Sequence, residues 1–290
     1  MKIKIPSVNY HVWQPCNMNC SYCFGKFDDV KKNVLPKGHL SLEHSLALIE
    51  RLAGYGFEKI TFAGGEPTLC KWLPDLVAYA KRLKLTTGIV TNGSKLNQAY
   101  ISNFNNALDW ISLSIDTIND GVAVKIGRTQ NGRELTLEQY KFLCLLIKNN
   151  NIRLKINTVV SAINYLEDFS NFIISTSPDR WKVLQVLPVQ GQNGDSVNDF
   201  VIDSEKFTLF KERHSYIKEA MKMNIVFEDN ELMTGSYVMI DPAGRFFDNV
   251  NGDYKYSAAI LDVGVERALQ QVTCLEKRFY DREGIYNWVR

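Results

Sequence analysis

The chain contains the nonapeptide Cys16-Asn17-Met18-Asn19-Cys20-Ser21-Tyr22-Cys23-Phe24, whose cysteines are separated by three and then two residues. Three thiolates on so short a segment converge on one point. They suit an iron–sulfur cluster better than a structural zinc ion, because a zinc site takes four protein ligands and no second CxxC follows. A cluster held by three cysteines keeps one iron free for a small ligand. The alternative is that the three thiols are unrelated and stay free, because disulfides at this spacing would be strained.

The cysteine loop follows a predicted strand at 8–13, in which polar and apolar residues alternate. Further strands are predicted at 59–63, 86–90, 110–116, 153–160 and 180–187, and helices at 41–56, 72–83, 135–148 and 166–174. This alternation of strand and helix predicts a parallel sheet with right-handed crossovers. Because six units are two short of a closed barrel, we predict an α/β fold, an open partial (βα)6 barrel. Its mouth lies at the carboxyl ends of the strands.

The segment after the sixth strand has a less regular pattern. A turn-rich stretch at 191–198 precedes a predicted helix at 204–223 and a hairpin at 235–247 around Asp241-Pro242-Ala243-Gly244. We predict that residues 1–190 form the partial barrel. Residues 191–290 then form an α/β extension that caps the open mouth and completes the substrate pocket, so that both parts make one compact unit.

Composition excludes several classes of protein. Hydrophobic residues make up 45% and charged residues 23% of the 290 residues, and the net charge is +2. No apolar run approaches the roughly 18 residues of a membrane span, and the charge is too small to indicate a polymeric nucleic acid partner. Residues 1–6 lead straight into the first strand and leave no room for a secretory signal or an interfacial amphipathic helix. We expect a cytoplasmic monomer.

The fifth and sixth predicted strands carry cations on one face. A period of two places Lys155 with Asn157 and Arg180 with Lys182, and the outward face of a parallel barrel strand is buried under helices. If the charged faces point inward, an anion must compensate them, because burying an unpaired charge costs several kcal/mol. Arg128, in a Gly-rich loop, adds a further cation. A triphosphate, with about four negative charges, suits such a cradle. The alternative is that these faces point outward to solvated helices.

Another motif comes after the second strand. Gly64-Gly65-Glu66-Pro67 resembles the GGEP element of radical S-adenosylmethionine enzymes, in which the glycines expose main-chain groups to the methionine amino group and the acidic residue holds its charge. In the same family pattern Asn92 bonds the cofactor, Ser114 faces its ribose or carboxylate, and Phe24 flanks the adenine. Outside that pattern these residues are typical of turns, caps and core packing.

Further segments extend this resemblance along the chain. They are 9–11, 64–67, 126–128, 155–157, 180–183, 236–237, 261–266 and 286–288. Through them the chain resembles the viperin family nearly end to end. The resemblance implies a radical SAM barrel, a [4Fe–4S] cluster on Cys16, Cys20 and Cys23, and S-adenosylmethionine as the second cofactor. The implied reaction dehydrates a nucleoside triphosphate to its 3′-deoxy-3′,4′-didehydro form, a chain terminator in antiviral defence.

The same resemblance implies roles for residues of the pocket. Tyr237 matches a tyrosine near the substrate ribose that relays a hydrogen or proton, and with Lys155 it is a predicted catalytic residue. The predicted triphosphate ligands are Lys155, Arg128, Arg180 and Lys182, with Asn157 beside them. An external one-electron reductant of the flavodoxin or ferredoxin type is also implied. The loop at 248–255 lacks the basic run of animal relatives, so CTP is the default substrate but UTP and GTP stay open.

Two other functions remain open on the sequence. One is a radical SAM enzyme acting on another small molecule such as a purine precursor, or on a peptide, although Cys70, Cys144 and Cys274 are too scattered to form a further cysteine-rich domain. The other is a metal-binding module with a structural role. The resemblance favours the nucleotide dehydratase.

Overall fold

The computed structural model of the chain describes residues 5–288. Its strands are β1 (Ser7–Trp13), β2 (Lys59–Gly64), β3 (Thr86–Thr91), β4 (Trp110–Ser114), β5 (Arg153–Val160), β6 (Arg180–Gln185), β7 (Asn224–Glu228), β8 (Met239–Ile240), β9 (Arg245–Asp248) and β10 (Lys255–Ala259). Residues 1–4, on which part of the expected absence of a signal segment rests, lie outside the described residues.

Helices connect the strands. They are α1 (Asp28–Asn33), α2 (Leu42–Tyr55), α3 (Leu73–Arg82), α4 (Gln98–Ser102), α5 (Asp120–Lys125), α6 (Leu137–Asn149), α7 (Ser170–Thr176), α8 (Ser204–Ala220), α9 (Asn230–Met233), α10 (Ile260–Val263), α11 (Val265–Leu269) and α12 (Glu276–Asp281), with 3₁₀ segments at Pro67–Leu69 and Gly194–Phe200. Local sequence sets several of their ends. For example, Thr136 and Gln139 form a reciprocal capping box at the start of α6.

One open sheet holds all these strands. Its order is β10-β9-β8-β1-β2-β3-β4-β5-β6-β7, and every pair from β8 to β7 is parallel. The residues of β5 alternate between buried and partly accessible, because one face of the strand packs under the helices and the other faces a polar interior. Its buried face, with Leu154 and Ile156, belongs to the hydrophobic core under the helices, whereas Lys155 and Asn157 face a central cavity. The predicted parallel α/β architecture is confirmed.

The sequence analysis undercounted the parallel strands. The six predicted strands are present, but β7 adds a seventh beside β6, and β8 pairs in parallel with β1 at the other edge. Both are short, and β8 has only two residues, so neither gives a clear period of two. The expected hairpin is present as β8 and β9, which pair antiparallel around 241–244.

The C-terminal extension reaches both ends of the barrel rather than the mouth alone. Near the mouth, the hydroxyl of Tyr254 donates to the carbonyl oxygen of Phe24, 3.0 Å away. At the amino-terminal ends of the strands, the rings of Tyr286 and Trp288 pack against Lys59 and Trp110, the first residues of β2 and β4. The extension therefore contacts the mouth, as the sequence predicted, and also covers the amino-terminal ends of the strands. Cation–π contacts with Lys59 hold the tail at the amino-terminal ends of the strands.

None of the helices within residues 5–288 combines the length and the apolarity that a membrane crossing requires. This agrees with the composition.

The core around β6 gives a stability prediction. Trp181 is fully buried, and its Nε1 donates to Thr158 Oγ1 at 3.0 Å. We expect Trp181→Ala to lower the free energy of unfolding by about 3–5 kcal/mol, because it leaves a cavity and removes the hydrogen bond that Thr158 Oγ1 accepts, although that hydroxyl still donates to Ile115 O. Urea denaturation followed by circular dichroism measures this. Phe142→Ala, at a side chain that is 61% exposed, is the control; equal midpoints for both variants would contradict the prediction.

Candidate active site

A cavity of about 320 Å³ lies inside the barrel, within the size range of small-molecule sites. It extends from the cysteine loop at the carboxyl ends of the strands to Lys59 and the tail at their amino ends. Every residue that the sequence analysis singled out for a site lines it: Cys16, Cys20, Cys23, Phe24, Gly64, Gly65, Glu66, Asn92, Ser114, Arg128, Lys155, Asn157, Arg180, Lys182 and Tyr237. Their individual roles stay predictions.

Main-chain hydrogen bonds fix the cysteine loop to the loop after α5. The N–H of Asn19 donates to Gly127 O at 3.2 Å, and the N–H of Ser21 donates to Ile126 O at 3.1 Å. Gly127 has φ +74°, and a Cβ there would overlap with the carbonyl oxygen of Asn19. Only glycine allows the two loops to approach this closely.

The three cysteines line the cavity at the carboxyl ends of the strands. No group of three or more His, Cys, Asp or Glu side chains within residues 5–288 is arranged to hold a single metal ion. A structural zinc site takes four protein ligands, whereas an iron–sulfur cluster held by three cysteines keeps one iron free for a small ligand. The donor set on this side of the cavity, three thiols on one loop, therefore fits a cluster.

The GGEP turn is fixed to the end of β3 by its carboxylate. Glu66 is fully buried, and it accepts hydrogen bonds from the Thr68 N–H and hydroxyl, from the Thr91 hydroxyl and from the Asn92 N–H at 2.6–3.0 Å. Burial raises the pKa of Glu66, although these bonds counteract it. At Gly65 a Cβ would overlap with the carbonyl oxygen of Gln14, so this turn lies directly against the segment that leads into the cysteines.

The side chain of Asn92 also orders the cysteine loop. Its Nδ2 donates to Asn17 Oδ1 at 2.9 Å, and Asn17 Nδ2 donates to Ser94 Oγ at 2.8 Å. Asn92 Oδ1 accepts from the Ser94 N–H at 2.9 Å. The sequence analysis predicted contact with the cofactor, and these bonds show that Asn92 also supports the loop that holds the cysteines.

Arg128 lies beside the cysteine loop and is already paired. Its Nη1 is 2.7 Å from Asp116 Oδ2 and 3.8 Å from Cys20 Sγ, and its Nη2 donates to the carbonyl oxygen of Ser114. Burial alone would lower the pKa of Arg128, but Asp116 raises it well above the ordinary value. Unlike Lys155 and Arg180, Arg128 therefore has a compensated charge, and it lies at the cysteine end of the cavity. The partner Asp116 was not predicted.

The other predicted cations meet deeper in the barrel. Lys155 is paired with Arg180, and Asn157 with Lys182, in the register of β5 and β6. Within residues 5–288 no ion pair joins Lys155 or Arg180 to a carboxylate. Arg180 is only 2% exposed, and its Nε and Nη1 and the Oδ1 of Asn157 are buried without a hydrogen-bond partner. Burial, together with repulsion from nearby cations, holds the pKa of Lys155 well below its ordinary value.

Two further cations belong to this group and were missed. Lys59 is 5% exposed and donates to the Tyr286 hydroxyl, and Arg282 is 7% exposed and stacks 3.6 Å from the Tyr237 ring centroid. Burial and then the neighbouring cations hold the pKa of Lys59 well below its ordinary value. The period of two in β2 would have identified Lys59. Arg282 follows α12 in the tail, where the sequence carries no comparable signal.

Among the described residues, the carboxylate of Glu228 lies beside these cations. Glu228, at the end of β7, is fully buried, accepts a hydrogen bond from the Tyr237 hydroxyl and lies 2.9 Å from Lys182 Nζ. Lys182 also donates to the Tyr237 hydroxyl. Burial alone would raise the pKa of Glu228, but Lys182 and Arg282 outweigh it and lower the pKa. Sequence reasoning missed Glu228, because β7 was not predicted.

Comparisons with known proteins fit this geometry. A model of the radical SAM superfamily matches residues 11–173. A protein of Flammeovirga pacifica named S-adenosylmethionine-dependent nucleotide dehydratase is 48% identical over 98% of this chain and 96% of its own length. The chain belongs to the viperin family of radical S-adenosylmethionine enzymes. Membership confirms the predicted cofactors, a [4Fe–4S] cluster and S-adenosylmethionine.

Other members of the viperin family differ in length. A relative of the same name from Lacinutrix mariniflava is also 48% identical, and this chain spans 59% of it. The dehydratase of Danio rerio is 34% identical over 97% of this chain and 78% of its own length. Among solved structures, native anSMEcpe with bound AdoMet has a TM-score of 0.70 over 95% of this chain and 82% of its own, at 14% identity. So low an identity supports the shared fold alone.

The contact between Gly127 and the cysteine loop can be tested. We expect Gly127→Ala to reduce the iron and sulfide bound per chain after anaerobic reconstitution at least about twofold, because the added methyl pushes Asn19 and Cys20 out of place. Gly132→Ala is a matched control: its φ is +75°, close to the +74° of Gly127, but no atom lies within 4 Å of the added methyl. Equal cluster content in both variants would show that only backbone strain matters.

Proposed function

We propose that this protein dehydrates a nucleoside triphosphate to the 3′-deoxy-3′,4′-didehydro nucleotide, a chain terminator for polymerases that serves antiviral defence. One observation carries the proposal: a buried cavity opposite the cysteine loop holds many more cations than carboxylates. The names of the relatives support a nucleotide as the substrate. The cations that line this end are Lys59, Lys155, Arg180, Lys182 and Arg282, and behind them Glu228 pairs with Lys182 and Arg282. The carboxylates that line the cavity, Glu66 and Asp116, lie at the cysteine end.

In this proposal the two ends of the cavity have different tasks. When bound at the cysteine end, the cofactors supply the organic radical that removes hydrogen from the ribose. The chain itself orders that end through Glu66 and Asn92, and Arg128 places a compensated positive charge beside Cys20. Proximity and the exclusion of water from the enclosed barrel favour reaction at the bound sugar over side reactions.

The triphosphate is proposed to bind at Lys59, Lys155 and Arg180. These cations have no carboxylate partner within residues 5–288, and the buried Nε and Nη1 of Arg180 still need acceptors. Phosphate oxygens supply acceptors and negative charge together, and guanidinium forks bind them with two parallel hydrogen bonds. Binding raises the lowered pKa of Lys155 toward its ordinary value, since the anion stabilises the ammonium form.

Both parts of the chain are proposed to build this one pocket. Residues 1–190 supply the cysteines and the strand cations, and residues 191–290 supply Tyr237, Arg282 and the tail aromatics. An external one-electron carrier of the flavodoxin or ferredoxin type is proposed as the reductant. The reaction is proposed to occur in the cytoplasm, because all six cysteines are unpaired, as is usual in a reducing compartment.

The base of the substrate is the part of the proposal most open to experiment. CTP is proposed first, with UTP and GTP as the other candidates. Reconstituted protein, S-adenosylmethionine and reductant are incubated with each of the four nucleoside triphosphates, and 5′-deoxyadenosine and dehydrated nucleotide are measured by mass spectrometry. Formation of both products with CTP supports the proposal. If none of the four stimulates 5′-deoxyadenosine formation, the substrate class is wrong.

The cation cluster gives a binding prediction. We expect Lys155→Ala and Arg180→Ala each to raise the Kd for the nucleotide at least about 30-fold, since each leaves a phosphate without its charged donor, while cleavage of S-adenosylmethionine without nucleotide continues. Isothermal titration calorimetry and product analysis measure the two effects. Lys277→Ala, at a side chain that is 88% exposed and pairs with Asp281, is the control. Equal loss of affinity and cofactor cleavage would contradict the anion cradle.

A further inference from the structure

A histidine near the end of β1 lies against the cavity without a hydrogen-bond partner. His11 is 7% exposed and lines the cavity. Its Nδ1 is buried, and no donor or acceptor within residues 5–288 bonds to it. Leaving a buried polar atom unpaired costs about 1–3 kcal/mol, so such an atom in a folded protein needs an explanation. None of the roles assigned to the other residues of the cavity accounts for it.

Packing does not explain a histidine at this position. The ring makes edge contacts with Phe27, at a centroid distance of 4.9 Å, and with Phe247, at 5.7 Å. A phenylalanine in place of His11 would make the same contacts and would leave no nitrogen unpaired. The imidazole is therefore explained better by a group that its nitrogens reach than by the aromatic rings around it.

The surroundings of the ring determine which nitrogen carries the proton. Burial lowers the pKa of His11 to about 4, so the imidazole is neutral and has one N–H. Nδ1 is enclosed and has no acceptor within residues 5–288, so it is through Nε2 that the ring faces the cavity. A proton on Nδ1 would stay unpaired, whereas a proton on Nε2 can bond to a group in the cavity. His11 therefore presents an N–H donor to that group.

Gly25 leaves this donor next to the cysteine loop. A Cβ at residue 25 would lie 3.9 Å from His11 Cε1 and equally 3.9 Å from Cys23 Sγ. Because residue 25 is glycine, no side chain separates the imidazole from the cysteine. The ring thus lies against the part of the cavity in which Cys23 is predicted to hold the cluster.

The cysteine sulfurs themselves each face a donor of the chain. The donors are the Met18 N–H for Cys16, Arg128 Nη1 for Cys20 and the Gly25 N–H for Cys23. A [4Fe–4S] cluster adds further acceptors at this end, its inorganic sulfides, and hydrogen bonds to the sulfurs are one of the factors that set its potential. The free N–H of His11 matches such a sulfide.

We propose that His11 donates a hydrogen bond from Nε2 to an inorganic sulfide of the cluster beside Cys23, and that this bond raises the reduction potential of the cluster. Reduction by one electron adds one negative charge, which an N–H donor stabilises, so the bond favours the reduced state. The electron comes from the one-electron reductant. No proton is transferred, because the N–H stays on the ring. This inference concerns the cluster and does not depend on which nucleotide the enzyme uses.

Three variants of the reconstituted chain test this without nucleotide. His11→Phe keeps the aromatic contacts but removes the donor, and we expect the equilibrium constant for one-electron reduction to fall about tenfold, or about 59 mV. His11→Gln places an amide N–H near the position of Nε2 and is expected to keep the potential. His11→Asn, whose amide lies near the position of Nδ1, is expected to behave like His11→Phe. The potential is measured by reductive titration followed by EPR spectroscopy.

The control and a second measurement separate a hydrogen bond from packing. His44→Phe, at an exposed histidine of α2, is the matched control and is expected to leave the potential unchanged. In the reduced wild-type protein, pulsed ENDOR is expected to show one coupled proton that exchanges in D2O and is lost in His11→Phe. A side chain that only fills space would produce no such difference.

Each outcome decides for or against this inference. If the potential of His11→Phe equals that of the wild type while its Kd for S-adenosylmethionine or nucleotide rises, His11 binds that ligand and the inference is wrong. An unchanged potential with unchanged affinities shows a packing role and also overturns it. So do equal falls in potential in His11→Phe and His11→Gln. Should His11→Phe take up no cluster, the comparison of His11→Gln with His11→Asn still decides. Failure of the wild type to dehydrate any of the four nucleotides would overturn the proposed function alone.

Discussion

Repulsion among buried cations is the constraint on which the rest of the site depends. Lys59, Lys155 and Arg180 share a cavity from which much of the water is excluded, and burial lowers the pKa of each. The buried cations lie on the inner face of the strands, so their repulsion does not disturb the hydrophobic core. The outer face of β5 packs Leu154 and Ile156 into that core. An anionic ligand is what relieves the repulsion.

The parallel direction of the strands gives the cavity two unlike ends. The cysteine loop, the GGEP turn and Asn92 follow β1, β2 and β3, so they meet at the carboxyl ends of the strands. Hydrogen bonds of main-chain groups and short polar side chains join them there. The first residues of β2 and β6, Lys59 and Arg180, lie toward the other end with the aromatic tail. In the proposed function, the cofactors bind at one end and the phosphates at the other, so the reacting sugar would lie between them.

Local patterns were enough to predict the six central strands and the inward cations of β5 and β6, because a period of two fixes which face a residue takes. Glu228 and Arg282 could not be found this way. Their place depends on β7 and on the tail, which long-range packing positions. The pairing of Arg128 with Asp116 was equally hidden, since it joins the loop after α5 to the end of β4, and no local pattern predicts that contact. The tail was expected at the mouth, which Tyr254 contacts, but the packing of its last aromatic residues against Lys59 at the other end was not predicted.

The cradle of Lys59, Lys155 and Arg180 has a consequence for turnover. Dehydration changes only the sugar, and the triphosphate leaves the reaction unaltered. Interactions with the phosphates are therefore as strong for the product as for the substrate, and such uniform binding lowers KM without speeding the chemical step. In the proposed function, a dehydrated nucleotide held by these three cations, which have no carboxylate partner among the described residues, competes with fresh substrate for the same site. Accumulated product would then inhibit the enzyme.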